Sequence, residues 1–506
     1  MPAIVIVVVV LVAYALGYRY YSTYLAERVY ALDPEYVTPA HRFRDGVDFV
    51  PTNKHVLFGH HFTSVAGAAP IVGPAIAVFW GWLPALAWVV IGTIFAAGAH
   101  DFGAIVVSVR NRARNIGTLT SEVINRRSRT LFLLVIFFLL TLVNAVFAIV
   151  IANLFINFPG AVIPIFFEIP MAIGIGQLIY RKQTPALGAS ILGVVLLYLS
   201  IPVGNAFPIS LAGVAEGVGI SERALWILIM FTYAGIASRI PVWVLLQPRD
   251  YINSHQLFIA LFAIFAGVAV GMDRIVAPAV NTGLPEGTPN WFPFLFVTIA
   301  CGAISGFHSL VSSGTTSKQL DKETDARYVG YMGSLGEGSL AVGAILATTA
   351  GIAIVGLDWG VQYETFQAAA AGAVGNFVQG VAGFTQNLGV PIALGTTFAA
   401  VVVVSFAATT MDTGVRLQRY IIQEIGDITG QRWLRENLTV ATLLAALIPF
   451  GLAVAPGDFA FGRLWTLFGT TNQLTAGLAL AVIAVWVLRK RRNPLAQIIP
   501  LTFLLV

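Results

Sequence analysis

Charged residues and cysteine are both scarce in this chain of 506 residues. Only 10% of the residues are charged, whereas 57% are apolar. This composition excludes an ordinary soluble domain and indicates a membrane protein with many spans. The single cysteine, Cys301, lies in an apolar segment, so the chain has no internal disulfide framework.

A nucleotide-binding motif is also missing. The pattern G-x-x-x-x-G-K-[ST] does not occur, and the longest polar loops, 19–55 and 412–436, are too short for catalytic domains. We therefore expect no enzymatic activity and no ATP-driven pump, which leaves an ion gradient as the expected energy source. Residues 1–18 lack the basic start and cleavage site of a signal peptide, so they predict a first transmembrane helix.

Long apolar runs are abundant, and about 20 such residues cross a bilayer. The sequence predicts thirteen transmembrane helices, at 1–18, 56–80, 82–109, 130–157, 159–180, 184–203, 223–246, 255–276, 291–311, 328–356, 388–411, 437–456 and 462–488. Segment 494–506 is too short to span and is predicted to be a partial helix or a surface segment.

Lysine and arginine are unevenly distributed over the loops between these spans. With the N-terminus outside, only Arg223, Arg274 and Arg463 among the loop cations fall on the outer side. This is a strong positive-inside bias. The net charge of +5 therefore reflects membrane topology, with the lipid bilayer as partner, and does not predict nucleic-acid binding.

Two predicted spans contain residues that interrupt helices. Segment 56–80 holds two Gly and two Pro within 67–74, and segment 223–246 holds Gly235 and Pro241. Freed backbone groups are tolerated inside a membrane only where protein, ligand or water satisfies them, so broken helices often form transporter substrate sites. The alternative is that each cluster is only a packing kink.

The two interrupted spans run in opposite directions and lie five helices apart, which predicts a five-plus-five inverted repeat. The repeats would cover 56–203 and 223–411. Residues 1–55 would form a peripheral first helix and cytoplasmic loop, and 412–506 the peripheral C-terminal helices. The predicted substrate-binding residues at the two breaks are Gly67, Ala68, Ala69, Gly73, Tyr233, Gly235, Ser238 and Arg239.

Hydroxyl groups in and just after span 291–311, together with an acid in span 328–356, predict a coupling-ion site. Its predicted residues are Ser305, His308, Ser309, Ser312, Ser313 and Glu337. Hydroxyl oxygens would suit sodium, whereas Glu337 would suit a proton because desolvation favours the neutral form of a carboxyl group. We favour protons. Alternatively, the hydroxyls only bond neighbouring helices, and Glu337, Glu168 and Arg239 only form structural pairs.

Four histidines could bind a metal only by combining side chains from separate helices. They are His60, His61, His100 and His308. Ligand spacing such as i, i+4 is absent, so hydrogen-bonded histidines without a metal are the favoured interpretation. No cofactor is expected apart from the coupling ion, H⁺ or Na⁺. The sequence does not indicate an oligomeric state.

Several longer motifs extend over nearly the whole chain, at 53–62, 67–74, 241–243, 248–251, 305–316, 325–331, 411–420 and 464–474. Together they resemble the carbon starvation protein A (CstA) family. The resemblance implies a bacterial or archaeal inner-membrane transporter of the amino acid/polyamine/organocation superfamily. It also implies a LeuT-type fold with extra peripheral helices and a link to uptake of pyruvate and of peptides.

The expected function is therefore that of an ion-coupled secondary transporter working by alternating access. Its substrate would be a small carboxylate such as pyruvate, or short peptides. Two alternatives remain at this point: a metal-ion transporter of the same architecture that uses the membrane histidines, and a membrane-bound sensor without transport.

Overall fold

The computed structural model describes residues 1–46, 48–123, 126–455 and 461–505, and nearly all of the described segments are helical. The main helices are α1 (Ala3–Val29), α2 (Lys54–Val65 and Ala69–Trp80), α3 (Trp82–Arg110), α4 (Arg126–Asn157), α5 (Pro159–Tyr180), α6 (Ala186–Ala206), α7 (Glu222–Ala237), α8 (Leu246–Gly271), α9 (Trp291–Thr298 and 306–319), α10 (Arg327–Ile354), α11 (Phe366–Asn387), α12 (Ile392–Thr429), α13 (Leu438–Val454), α14 (Phe461–Arg489) and α15 (Leu495–Leu505).

The all-helical membrane architecture is confirmed. Within the described residues, nine helices are long and apolar enough to cross a bilayer, and ten if the bent helix α2 is one span. The predicted number of thirteen is not confirmed, because α7 and α13 have only 16 and 17 residues and α9 is divided into two short pieces. A helix rises about 1.5 Å per residue, so both are shorter than the roughly 30 Å hydrocarbon core.

Helix α2 is interrupted as predicted, but over a shorter stretch. Its halves meet at Ala66–Ala68 with a bend of 47°. Of the predicted non-helical stretch 67–74, only its first two residues lie in the break. Pro70 sits in the first turn of the second half, where a backbone donor has no helical acceptor. Pro74 lies inside this half, which remains helical.

The prediction of a second break at 233–241 was wrong. Helix α7 ends at Ala237, and turns follow until α8 begins at Leu246. The predicted span 223–246 therefore stops early, and the predicted span 255–276 begins nine residues sooner. Pro241 ends one helix, and Pro248 lies in the first turn of the next, so these prolines mark a helix-to-helix connection.

The second interrupted helix is α9. Cys301 and Ser305 have extended backbone, and Gly302 has a φ of +105°. An added Cβ at Gly302 would lie 3.0 Å from Ala341 and 3.3 Å from Pro70, so this position requires glycine both for its backbone angle and for its close packing. The break in α9 therefore contacts the second half of α2.

Helices α2 and α9 run antiparallel. Thr52, just before α2, pairs with Leu320, just after α9, and Trp80 at the other end of α2 donates to Pro289, just before α9. The first of these ends, where Arg110, Lys318 and Arg327 lie, is called the basic end below. The other is called the Trp80 end.

Two helical segments were predicted as loops. Helix α12 continues to Thr429, because Asp412, Arg416, Gln418 and Arg419 are buried and find hydrogen-bond partners. The predicted boundary at 411 thus falls inside a helix. Helix α11 lies across the Trp80 end: Phe366 stacks near Trp80, and Asn387 bonds Gly267 and Asp273.

The C-terminal segment predicted as partial helix or surface segment forms α15. It packs on the bundle through Phe503, whose ring lies 4.9 Å from that of Trp88, and through Gln497, which donates to the Tyr30 hydroxyl.

Candidate functional site

The contact between α2 and α9 brings two backbone interruptions together. An added Cβ at Gly73 would lie 2.4 Å from the Thr298 carbonyl oxygen, so the two backbones approach each other without a side chain between them. Ala66, Ala68, Ile71 and Ile304 around this contact are fully buried. Buried side chains of both helices therefore surround this contact.

A chain of buried ionisable groups lies next to the α9 break. We call it the Asp101 cluster; it contains His100, Asp101, His308, Ser334 and Glu337. All five side chains are almost completely buried. His100 and Asp101 lie on α3, His308 lies on α9, and Ser334 and Glu337 lie on α10. Helix α3 packs against α9, and α10 packs against α2.

Asp101 is at the centre of this cluster. One carboxylate oxygen lies 2.7 Å from His100 Nδ1, and the other lies 2.8 Å from His308 Nδ1 and accepts a 2.8 Å hydrogen bond from Ser334. On its far side, His308 Nε2 lies 3.3 Å from Glu337 Oε1, but neither atom makes a hydrogen bond within the described residues. His308 thus lies between two carboxyl groups, an arrangement that can hold and pass a proton.

His308 and Glu337 were predicted from the sequence, and the structure brings them together. Asp101 was not among the predicted site residues, so its central position was missed. Its partner His308 is 207 positions away, and only the pair His100-Asp101 marked it in the sequence.

The predicted hydroxyl residues do not form one surface. Ser305 bonds Asn472 on α14, Ser309 donates to the Gly306 carbonyl of its own helix, and Ser313 accepts from the Ile116 backbone. Ser312 Oγ is buried without a hydrogen-bond partner in the described chain. The contact of this segment with α2 comes from Thr316, whose hydroxyl lies 2.9 Å from His61 Nδ1.

The predicted substrate residues lie in two separate places. Gly67, Ala68, Ala69 and Gly73 are buried in the contact between α2 and its neighbours, and an added Cβ at Gly67 would lie 2.4 Å from Thr410 Oγ1. Gly235 and Ser238 lie at the end of α7, where the Ser238 carbonyl accepts from Arg419. Arg239 there is exposed, so it does not pair with Glu168 or Glu337.

Tyr233 belongs instead to a second buried group, the Arg249 cluster, formed by Glu168, Tyr233, Arg249 and Asp412. Arg249 Nε donates to Glu168 at 3.0 Å, and its Nη1 donates to Asp412 at 2.6 Å and to Tyr233 at 2.8 Å. Glu168 was expected to pair with Arg239, but its partner in the structure is Arg249. The residue that sequence reasoning missed is Arg249, ten positions later in the motif 248–251.

A cavity of about 500 Å³ opens at the basic end. Its polar lining is formed by Arg44, His60, Tyr180, Arg181, Gln247 and Tyr251. His60 Nδ1 lies 2.8 Å from Asp250, the residue next to Arg249. The cavity thus ends one layer of side chains before the Arg249 cluster.

The histidines do not come together as a metal site. No group of three or more His, Cys, Asp or Glu side chains with metal-binding geometry occurs in the part of the chain that the structure describes. His60 contacts Asp250, His61 contacts Thr316, and His100 and His308 share Asp101.

Two antiparallel, interrupted helices that meet at their breaks define the class of protein. This is the architecture of LeuT-type transporters, in which substrate and ion sites lie at broken helices. The fold is similar to that of MhsT in its crystal structure with L-phenylalanine, with a TM-score of 0.53 and 12% identity over 89% of this chain and 98% of that one.

Sequence comparison then gives the family. The profile described as "Carbon starvation protein CstA" matches residues 2–506. The peptide transporter CstA of Campylobacter jejuni is 32% identical over 100% of this chain and 79% of its own length. The pyruvate/proton symporter BtsT of Escherichia coli is 35% identical over 69% of this chain and 49% of its own. The chain belongs to the carbon starvation protein CstA family, and it is a multi-pass secondary transporter.

Proposed function

We propose that this protein is a proton-coupled importer of small carboxylates, either pyruvate or short peptides, in the cell inner membrane. The observation that carries the proton coupling is the Asp101 cluster beside the α9 break, where two buried carboxyl groups flank one imidazole. The names of the relatives support both substrate classes and, for one of them, a proton as the coupling ion.

The chemistry of the cluster favours a proton over sodium. Sodium prefers several hard oxygen ligands around one point, whereas the hydroxyls of Ser305, Ser309 and Ser313 bond to separate partners, one of them within α9 itself. Imidazole and carboxyl groups in contact exchange protons readily and change their charge as they do so. We infer that Glu337 binds and releases the coupling proton and that His308 and Asp101 connect it to the rest of the bundle.

We further propose that the basic end faces the cytoplasm and the N-terminus lies outside, in keeping with the positive-inside rule. The cavity at the basic end would then be a cytoplasmic vestibule, while Trp80, Phe366 and the rest of α11 cover the other end.

The pairing of α2 with α9 also supports a different division of the repeats from the predicted one. The first repeat would start at α2 and end with α8, with the hairpin α5–α6 inserted, and the second would run from α9 to α14 without the crossing helix α11. Each repeat then begins with an interrupted helix, and the two begin at opposite ends of the molecule.

The decisive experiment is uptake into proteoliposomes. Radiolabelled pyruvate and radiolabelled dialanine are tested in parallel, in sodium-free buffer with an imposed inward proton gradient. We expect accumulation of one of them, abolished by a protonophore. Uptake that needs sodium and ignores the proton gradient would refute the coupling assignment, and no uptake of either solute would refute the substrate class.

A further inference from the structure

Arg249 is a buried cation with carboxylates on two sides. It lies in the first turns of α8 and is 1% exposed. Glu168 approaches from α5, Asp412 from α12 and Tyr233 from α7. Tyr233 also donates to Asp412 at 2.9 Å, and Ser405 donates to Glu168 at 3.0 Å. Four helices therefore converge on one guanidinium group.

The charges of this cluster do not balance. Glu168 and Asp412 bring two negative charges to the single positive charge of Arg249, and Asp250 brings a third next to it, in contact with His60. Unpaired charge is costly in a buried site. A proton on Glu168 or Asp412 removes the excess within the cluster itself and leaves the charge of Asp250 beside it. The ionisable groups that face Asp412 are Glu168, Tyr233, Arg249 and Asp250.

Two polar atoms of the cluster are unused. All three hydrogen bonds of Arg249 leave from Nε and Nη1, so Nη2 has no partner among the described residues. Asp412 Oδ1 is buried and also without a partner there. A guanidinium group binds a carboxylate best through two parallel N–H donors, and here Nη1 is occupied by Asp412 while Nη2 is free.

The cluster lies directly behind the cavity at the basic end. Pro248 and Tyr251, on either side of Arg249 and Asp250, line the cavity of about 500 Å³. Thr413, next to Asp412, lines a smaller adjoining cavity of about 40 Å³, and His60 borders both. A solute in this space would contact His60 and the start of α8, the helix that carries Arg249.

We propose that Arg249 binds the carboxylate of the transported substrate, which replaces Asp412 on the guanidinium group once Asp412 has taken up a proton from the water of the cavity. This inference rests on the proposed function, because it assigns the anion site of that carboxylate transporter. The ligand class is a monocarboxylate, and the C-terminal carboxylate of a peptide fits as well as pyruvate.

The exchange has a definite charge balance. One proton neutralises Asp412, one carboxylate enters, and the net charge of the cluster is the same before and after. The O–H bond that forms on Asp412 is the one covalent change, and its proton comes from the water of the cavity. Because the neutral form of Asp412 is required, substrate affinity falls as the pH rises, and it does so even when no proton gradient exists.

Counterflow exchange in proteoliposomes tests the proposal, because exchange needs substrate binding and alternating access but no gradient. The apparent KM for pyruvate and for dialanine is measured over a series of pH values that are equal on both sides. Arg249→Lys keeps the charge but loses the fork, so we expect KM to rise about tenfold to a hundredfold with little change in maximal rate, as for the loss of one charge-assisted hydrogen bond.

Asp412→Asn provides a second, independent variant, since asparagine resembles the protonated acid in shape. We expect it to lower KM at high pH and to remove the pH dependence of KM. Arg28→Gln is the matched control, because Arg28 is an exposed arginine at the end of α1, outside both clusters and the cavity lining, and it should exchange like the wild type. Folding of each variant is checked by size-exclusion chromatography.

Four results would overturn the inference or the function on which it rests. A folded Arg249→Lys protein with wild-type KM overturns the inference, as does one that loses maximal rate at unchanged KM, which would indicate a structural role. If Arg249→Lys does not fold, Asp412→Asn decides alone, and a wild-type pH dependence of its KM overturns the inference. Wild-type protein that exchanges neither solute refutes the proposed function itself.

Discussion

At the scale of single residues, the two buried acid clusters that we propose to serve transport differ in composition. In the Asp101 cluster an imidazole lies between carboxyl groups, whereas in the Arg249 cluster a guanidinium does. Imidazole gains and loses a proton near neutral pH, but guanidinium keeps its charge throughout the physiological range. The first cluster is therefore suited to moving protons and the second to holding an anion.

Glu337→Gln separates these two roles. Glutamine keeps the size of the side chain and its place near His308 but cannot bind a proton. We expect proton-driven uptake to fall about a hundredfold, the lower end of what a positioned acid or base contributes, while counterflow exchange at equal pH persists. Radiolabelled uptake and exchange on the same proteoliposomes measure both. A Glu337→Gln protein with wild-type uptake and the same pH profile would remove Glu337 from the coupling path.

Ser312 and Ser313 form a second residue-scale test, since they are neighbours with different surroundings. The Ser313 hydroxyl accepts from Ile116 N–H at 2.9 Å, whereas Ser312 Oγ is buried without a partner in the described chain. Ser313→Ala should lower the free energy of unfolding by about 1 kcal/mol. Ser312→Ala should leave thermal stability unchanged but weaken uptake, as predicted from the sequence for a coupling residue. Stability and uptake that change together in both variants would contradict this.

The sequence revealed part of both clusters. His308 and Glu337 stood out because ionisable groups are rare inside apolar spans. Arg249 did not, because it follows Pro248 in a stretch that resembles a loop, and the helix that contains it was predicted to start later. Asp101 and Asp412 did not stand out either, because both lie near the ends of predicted spans, where charged residues are common. Partners that meet across helices leave no periodic signal in one sequence.

At the scale of helices, the interruptions were harder to predict than the helices themselves. Helices α3 to α6 begin and end within a few residues of the predicted spans, because their apolar runs are bounded by Gly, Pro, Arg or polar residues. The α9 break at 299–305 lacks proline and consists of small and apolar residues that are common in membrane helices, so it was not predicted. Pro74, which was predicted to break α2, lies inside a helix instead.

The backbone contact between α2 and α9 gives an element-scale prediction. Gly73→Ala would place a Cβ 2.4 Å from the Thr298 carbonyl oxygen, and backbone cannot turn aside as a side chain can. We expect a loss of about 1–3 kcal/mol in stability, the usual cost of overpacking, and impaired uptake. The matched control is Gly174→Ala on α5, where an added Cβ meets no atom within 4 Å. Thermal unfolding in detergent should separate the two variants, and equal melting temperatures would contradict the contact.

At the scale of the whole molecule, the two ends differ in character. The Trp80 end is covered by α11 and an aromatic group around Trp80 and Phe366, while the basic end contains the cavities. Ion pairs such as Lys318–Asp48, with 3.7 Å between nitrogen and oxygen, lie at the rim of these cavities. The described conformation is thus closed at one end and accessible at the other, which is one of the two states that alternating access requires.

Membrane orientation can be tested on the same scale. Lys182→Cys lies in an exposed turn at the basic end, and Glu286→Cys lies in an exposed loop at the Trp80 end. A membrane-impermeant maleimide should label Glu286→Cys in intact cells and Lys182→Cys only after permeabilisation. The reverse pattern would place the basic end outside and overturn the proposed orientation. The wild type, with its buried cysteine, gives the background.

That cysteine has a further use. Cys301 lies in the α9 break, its sulfur is buried, and it is held 3.1 Å from both Ser305 Oγ and Asn472 Nδ2. A small thiol reagent can react with it only when water reaches the break. Because the chain contains no other thiol, the alkylation rate of the unmodified protein, followed by mass spectrometry, should rise or fall as substrate and pH shift the balance between closed and open conformations. The native chain thus provides a chemical measure of how often its transport path opens, without any engineered label.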